Sequence, residues 1–386
     1  MVIKDQISVV IGGDVSPTKR DRELWLNGDD ASLFGDYADK FRHADVGIIN
    51  LETPIISQRS PIPKSGAVFD APMEMASTLA KAGLTHICLA NNHIKDHGER
   101  GVRTTIEALK VSGLEVFGAG PSLSEASEVY SALIKGVRLS IFAYAEHEFS
   151  LATPDSGGAN PLDLIDFSSK IREVRQESDF VLLLFHGGKE HSWLPSPEQQ
   201  RMCRFFIEMG VDAVVCQHSH RIGLIEDWGK GKIIYGQGNF LFDPYPDKRT
   251  WLYKGFGISL QIAVGGRWSI EYVPHQHRSI ESGSSCGIEI LESRLRDEFL
   301  SDLSRMTDLY RDSPSLIDTE WRKLARDSRQ TYLGVTKGHG RAYRKFSQIF
   351  PWFTAKYSES ERLLLTNIVR CQTHRELLLE ILNDND

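Results

Sequence analysis

Leu89-Ala90-Asn91-Asn92-His93 closes a mostly apolar run over residues 85–89, and Asp96-His97-Gly98 follows it. The run reads as a buried strand, and the Asp-His-Gly step reads as a turn into a helix. Open α/β sheets place their chemistry at the carboxyl ends of their strands, so a polar cluster there is a candidate site. Asn and His side chains in that position can hold a metal or hydrogen-bond a reacting group. An Asn-rich turn capped by a histidine fits the same five residues. The rest of the chain decides between the two.

Moving outward toward the amino terminus, other apolar runs end in similar residues. Residues 46–49 read as a buried strand ending in Asn50-Leu51-Glu52; Asn50 and Glu52, two apart, face one side of an extended backbone. Residues 7–11 are largely β-branched and end in Gly12-Gly13-Asp14, where the glycines permit a sharp turn and the carboxylate stands at the strand tip. A turn aspartate capping the next segment is the other reading of Asp14. Residues 15–45 read as a loop with a short helix, and 73–82 has helical spacing.

Toward the carboxyl terminus, 101–112 reads as a helix stopping near Gly113, and 116–120 as a short strand. Gly118-Ala119-Gly120 lacks the third glycine and the acidic ribose ligand of a dinucleotide site, so it reads as a tight strand exit. Residues 137–145 form a strand, 153–160 a loop and 165–176 a helix. Residues 180–185 are strongly apolar and end in His186-Gly187-Gly188. A helix over 197–209 leads to a strand over 211–216 that ends in Gln217-His218-Ser219-His220. On an extended backbone both imidazoles of that pair point one way and can serve one or two metals. Runs beginning at Ile222 and Lys232 read as a hairpin leading to Gly238-Asn239-Phe240. Residues 256–264 and 268–273 flank the hairpin signal Gly265-Gly266.

The 386 residues allow one large domain with a smaller one, or two domains. With 41% hydrophobic and 25% charged residues, disorder is not expected. A net charge of −7 argues against nucleic acid as a partner. Cys88, Cys203, Cys216, Cys286 and Cys371 form no CxxC pair and are odd in number, which predicts reduced thiols and a cytoplasmic setting. Neither a signal peptide nor an apolar run of about 18 residues is evident, so no transmembrane anchor is expected. After His275 the character changes: 282–287 reads as a Ser/Gly-rich linker, and 288–386 is charged and helical by period. Within it, 363–365 and 377–382 predict one long closing helix. The basic run Arg341–Lys345 reads as a solvated face or, alternatively, a contact for an anionic polymer.

Asp14, Glu52, Asn92, His186 and the His218/His220 pair thus stand at five strand tips, and parallel strands bring such tips to one edge. Mixed nitrogen and oxygen ligands suit Mn, Fe or Zn better than Mg or Ca. A carboxylate bridging two ions about 3.5–4 Å apart is the usual device of two-metal hydrolases. The order of motifs resembles the CapA family of bacterial capsule and poly-γ-glutamate synthesis proteins, which is related to calcineurin-like metallophosphoesterases. Gly13-Asp14-Val15, Asn50-Leu51-Glu52, Ala90-Asn91-Asn92-His93, His186-Gly187-Gly188-Lys189-Glu190, His218-Ser219-His220 and Gly238-Asn239-Phe240-Leu241-Phe242-Asp243 carry the resemblance across residues 6–276.

The resemblance implies a four-layer α/β/β/α sandwich over 1–279 with a C-terminal α-helical appendage over 288–386. It implies two divalent transition metal ions (Mn, Fe or Zn), with Asp14 and His220 on the first, Glu52 bridging, and Asn92, His186 and His218 on the second. It implies His93 as the catalytic residue that protonates the leaving group or orients the attacked centre, with Asn50, Asn91, Glu190 and Asn239 at the substrate. Two positions depart from the pattern: Ser16 stands where metallophosphoesterases carry the histidine of Asp-x-His, and Gln217 stands where the family often has histidine.

The expected activity is a metal-dependent hydrolase cutting a phosphoester or a γ-glutamyl/amide bond in capsule, poly-γ-glutamate or other surface-polymer metabolism. Its partners would be that substrate or an anionic polymer, and polymer-synthesis enzymes. The alternative is a non-catalytic, polyanion-binding accessory component of a polymer-synthesis complex. A third reading is a structural α/β domain whose helical tail is the working part.

Overall fold

The structure is a computed structural model that describes residues 6–280, 286–336 and 357–383. Its apolar runs pair into two mixed sheets. In the first, β1 (Gln6–Val15), β2 (Val46–Leu51), β3 (His86–Cys88) and β4 (Glu115–Phe117) run parallel and adjacent. The hairpin β14 (Lys254–Ala263) and β15 (Trp268–His277) extends the other edge of β1, and β16 (Ile288–Ile290) closes that side. The short β13 (Asn239–Leu241) pairs in parallel with the tip of β1, setting Asn239 opposite Asp14.

In the second sheet β7 (Val137–Ala145), β9 (Phe180–His186), β10 (Ala213–Gln217) and β12 (Gly231–Ile234) are parallel. β6 (Tyr130–Ile134) and β11 (Ile225–Trp228) pair antiparallel at its edges. A two-stranded ribbon, β5 (Ala119–Gly120) with β8 (Gly158–Ala159), lies apart from both.

Alternation along the strands explains the layering. Phe180, Leu182 and Leu184 of β9 pack in one core with Val9 and Ile11 of β1 and Ala213 and Val215 of β10. Val181, Leu183 and Phe185 point the other way, into a core with Phe167, Ile171, Cys203 and Phe206. The first set joins sheet to sheet; the second joins sheet to helix. Parallel strands buried on both faces read as continuous apolar runs, as β9 does.

Helices α1 (Arg22–Leu26), α2 (Asp30–Phe34), α3 (Tyr37–His43), α4 (Glu74–Lys81) and α5 (Gly98–Val111) belong to the first sheet's outer layer. After the short α6 (Leu123–Ala126), α7 (Leu164–Glu177) and α8 (Pro197–Glu208) cover the second sheet. Asp163 and Ser196 cap these two helices by accepting backbone N–H groups, and Pro197 fits the first turn of α8. The result is the expected four-layer α/β/β/α sandwich.

The C-terminal region contributes α9 (Ser293–Asp312), α10 (Leu316–Thr336), α11 (Glu359–Arg370) and α12 (Gln372–Asn383). Trp321, Ala325, Tyr332, Ile368, Leu377 and Ile381 form a small core of their own.

Several expectations are corrected. The helical appendage does not begin at 288, because Ile288–Ile290 pairs with β15 and completes the first sheet. The closing helix is two helices, broken at Cys371, whose extended backbone ends α11. Residues 15–45 hold three short helices rather than one. The strand over 116–120 divides at Gly118, where φ is +81° and a Cβ would stand 2.8 Å from that of Ala90. The basic run 341–345 and most of the 282–287 linker lie outside the described residues. Among the described residues no helix is long and apolar enough to cross a membrane.

Leu184 is buried between the two sheets. Truncating such a side chain typically destabilises by about 2–5 kcal/mol through lost burial and the cavity left behind. Leu184→Ala is expected to lower the unfolding free energy by that amount, read by urea denaturation.

Candidate metal centre

The carboxyl ends of β1, β2, β9 and β10 and the loop after β3 meet at one edge of the sandwich, as parallel pairing of each sheet requires. Asp14 ends β1, Glu52 follows β2, Asn92 and His93 follow β3, His186 ends β9, and His218 and His220 follow β10.

Ligand atoms of Glu52, His186 and His218 lie within 4.8 Å of one another, and so do those of Asp14, Glu52 and His220. Glu52 belongs to both groups. Its side chain is fully buried, yet among the described residues neither oxygen has a hydrogen-bond donor. The nearest imidazole nitrogens to Oε1 are His186 Nε2 at 3.3 Å, His220 Nε2 at 3.9 Å and His93 Nε2 at 4.0 Å. Burying an ionised carboxylate without partners is costly, and such groups are normally paired or coordinate metals. Two imidazoles and one carboxylate on one side, and one imidazole and two carboxylates on the other, form a donor set that suits a divalent transition ion. The residues fit.

Charges at this edge are coupled. Burial disfavours a charged His186, but Glu52 and Asp14 outweigh burial and raise its pKa to about 10. Burial would raise Asp14; the hydrogen bond and charge of His186, with His220 and Asn50, hold it below the usual carboxylate value. Burial, with the charges of His186 and His220, pushes His218 well below its ordinary value.

The His-x-His pair does not lie on extended backbone. His218 and His220 have φ of 89° and 52°, so the chain turns at both. The turn lets His218 N–H donate to Asp14 Oδ2 at 2.9 Å, while each ring reaches a different ligand group. Left-handed backbone at non-glycine residues is strained and held by its surroundings.

Asn92 Oδ1 lies 3.0 Å from His186 Nε2. Asn50 Nδ2 donates to Asp14 Oδ1 at 2.7 Å and lies 3.0 Å from His186 Nδ1. Asn91 donates to Asn50 Oδ1 and Leu51 O and accepts from the N–H groups of His93 and Ile94. Asn239 lies 3.0 Å from His220 Nδ1 and donates to Leu252 O. All four asparagines are buried, and the hydrogen bonds of Asn50, Asn91 and Asn239 tie together the loops that carry the candidate ligands. Glu190 is exposed at the rim, in a cleft of about 330 Å³ that Lys189, His191 and Trp321 also line.

His93 stacks on Phe69, with ring centroids 4.1 Å apart. Its Nδ1 meets Asp96 Oδ2 at 2.7 Å, and Asp96 Oδ1 accepts from Lys64 Nζ at 2.6 Å. Burial pushes His93 below its ordinary pKa despite the opposing pull of Asp96. Lys64 has no periodic pattern around it to single it out in the sequence. Glu148 is a second residue the sequence reading passed over. Its Oε1 lies 3.9 Å from His218 Nε2, and burial together with Glu146 lifts its pKa to about 7. Its signal was present, since Glu146-His147-Glu148 follows an apolar strand just as the chosen tips do.

The profile of the family described as Bacterial capsule synthesis protein PGA_cap matches residues 8–244. The chain is 25% identical over 248 residues to the capsule biosynthesis protein CapA of Bacillus anthracis, covering 62% of this chain and 60% of that protein. It is 26% identical over 243 residues to the PGA biosynthesis protein CapA of Bacillus subtilis (strain 168), covering 62% and 64%. It therefore spans less than two thirds of the length of either relative. A solved structure of the Haemophilus influenzae NAD nucleotidase aligns with a TM-score of 0.39 at 14% identity, covering 78% of this chain and 56% of that chain.

Lys64 and Asp96 form a buried ion pair, at 2% and 0% side-chain exposure. Removing one partner of such a pair typically costs about 3–5 kcal/mol, because the other charge stays buried. Lys64→Met is expected to lower the unfolding free energy by about that amount, read by urea denaturation.

Proposed function

The chain belongs to the PGA_cap family of bacterial capsule synthesis proteins, and on that premise we propose that it is a metal-dependent hydrolase of surface-polymer metabolism. The bond it cuts is a phosphoester or a γ-glutamyl/amide bond in capsule, poly-γ-glutamate or a related polymer. The observation that supports this most is Glu52, a buried carboxylate without a hydrogen bond that belongs to both ligand groups.

Asp14, Glu52 and His220 would hold one divalent transition ion, and Glu52, His186, His218 and Asn92 a second. Such ions act as Lewis acids, acidifying water toward a pKa of about 7 and offsetting charge that develops on the substrate. The remaining work belongs to the protein. Asn50 orients the Asp14 carboxylate, and Asn91 fixes the backbone that presents His93. Asn239 orients His220. His93, with Nδ1 donating to Asp96, turns Nε2 toward the carboxylate of Glu52. An anionic group bound beside Nε2 raises the pKa of His93, so the ring takes up a proton and delivers it to the leaving group.

One observation favours a second reading, that of a non-catalytic accessory that holds an anionic chain. Lys19, Arg22 and Arg59 line a cleft of about 640 Å³ with Asp70, which pairs with both arginines, and with Phe69 and Phe242. Phe69 stacks on His93, and Phe242 packs against His220.

Elemental analysis of the purified protein is expected to find about two equivalents of Mn, Fe or Zn, and Glu52→Gln is expected to lose both. His93→Ala is expected to keep its metal and lose about 10²–10⁴-fold in turnover of phosphodiester or γ-glutamyl substrates. Full turnover in that variant removes His93 from the mechanism. A metal-free protein that binds poly-γ-glutamate and cleaves nothing supports the accessory reading instead.

A further inference from the structure

We propose that the C-terminal helices are part of the metal centre's framework and that Glu146 is the positioning residue through which they act. This rests on the metal reading above. It concerns a segment beyond residues 8–244, the part matched by the family profile.

Glu146 follows β7 and is 3% exposed. Its Oε2 accepts the N–H of Gly188 at 2.7 Å and the hydroxyl of Thr373 at 3.0 Å. Its Oε1 accepts from Cys371 Sγ at 3.1 Å and from the Thr373 N–H. One carboxylate therefore ties the turn after His186 to the start of α12. No Lys or Arg is among these donors. The negative charge is held by converging dipoles, and the N-terminus of α12 carries the partial positive charge that suits a carboxylate there.

The turn is moulded around this group. Glu146 N–H donates to His186 O at 2.9 Å. A Cβ on Gly187 would stand 2.8 Å from that of Glu146 and 2.6 Å from the ring of Phe185. Gly188 has φ of +107°, and a Cβ there would meet the amide of Gln199 at 2.8 Å. Two glycines after the ligand are what allow the backbone to close on the carboxylate. Further bonds hold the same face of the tail. His147 N–H donates to Gln372 Oε1 at 3.0 Å, and Glu198 N–H donates to Glu376 Oε1 at 2.9 Å. Loosening α12 therefore frees the peptide that aims His186.

The test uses the full chain, with Zn²⁺ as the probe. Thr373→Val removes one hydroxyl and keeps the side-chain volume, far along the sequence from every proposed ligand. Glu146→Gln keeps one acceptor oxygen and the shape. Outer-shell changes of this kind cost about 10–100-fold in metal affinity. Glu146→Gln is expected to weaken Zn²⁺ binding in that range in a competition titration, and Thr373→Val in the same direction by a smaller factor. Both are expected to speed amide hydrogen exchange over residues 186–191 in the metal-free protein. Wild-type affinity and wild-type exchange in folded Thr373→Val and Glu146→Gln would overturn the proposal. If Glu146→Gln does not fold, Thr373→Val decides. If the wild-type protein takes up no Zn²⁺, the metal reading fails separately, and the exchange over 186–191 alone decides the role of the tail.

Discussion

A buried carboxylate with no hydrogen bond is the constraint on which the rest of this edge depends. Glu52 is brought there by β2, a strand buried along its whole length, so its backbone has no freedom to turn the side chain toward water. Among the described residues, every cationic neighbour within ion-pair distance of it is an imidazole. Imidazoles can answer a buried negative charge in two ways, by carrying a proton or by sharing a cation. A fold that kept Glu52 only for packing would have an apolar residue in its place, since a buried charge gives little net stability.

Holding that arrangement needs backbone that ordinary strands do not supply. The sheets deliver their tips to one edge, but each tip must then turn within one or two residues. His218 and His220 do so at positive φ without being glycine, and Gly187 and Gly188 do so where no side chain fits. Residues that look like substrate contacts in sequence bond to these tips instead: Asn50 to the Asp14 carboxylate, Asn91 to the His93 N–H and Asn239 to the His220 ring. The carboxylates and imidazoles at this edge, with the Asn92 amide beside His186, are therefore backed by the amides of Asn50, Asn91 and Asn239.

How much of this was legible follows from the range of the interactions. Strands β1, β2, β9 and β10 are apolar runs, and their tips carry Asp14, Glu52, His186 and His218, so burial and position alone marked them. The His-x-His geometry was not legible, because period-two reasoning presumes extended backbone and the pair sits in a turn. Lys64 was not legible either. It lies in a polar loop, and what defines it is a partner 32 residues away. Glu146 is the extreme case, with partners 225 and 227 residues on. The strand Ile288–Ile290 was hidden for a related reason. It is short, and its pattern is set by pairing with β15 rather than by any period of its own.

The electrostatics tie these levels together. With Asp14, Glu52, Asp96 and Glu148 gathered at one edge, positive charge has to be supplied locally. Lys64 answers Asp96, and that pairing leaves Asp14 and Glu52 to imidazoles, with His186 the nearest to both. The consequence is visible in opposite shifts on adjacent rings: His186 is raised to about 10 while His218, 3.1 Å away, is pushed well below its ordinary value. Two carboxylates and two imidazoles thus converge where His186 is the ring that favours a proton. A divalent ion held by the same atoms must displace it, since a ligating nitrogen cannot keep its proton. On the proposed metal reading, uptake at this edge would be linked to proton release, and the carboxylates that make the proton hard to remove would be the ones that make the cation worth exchanging for it.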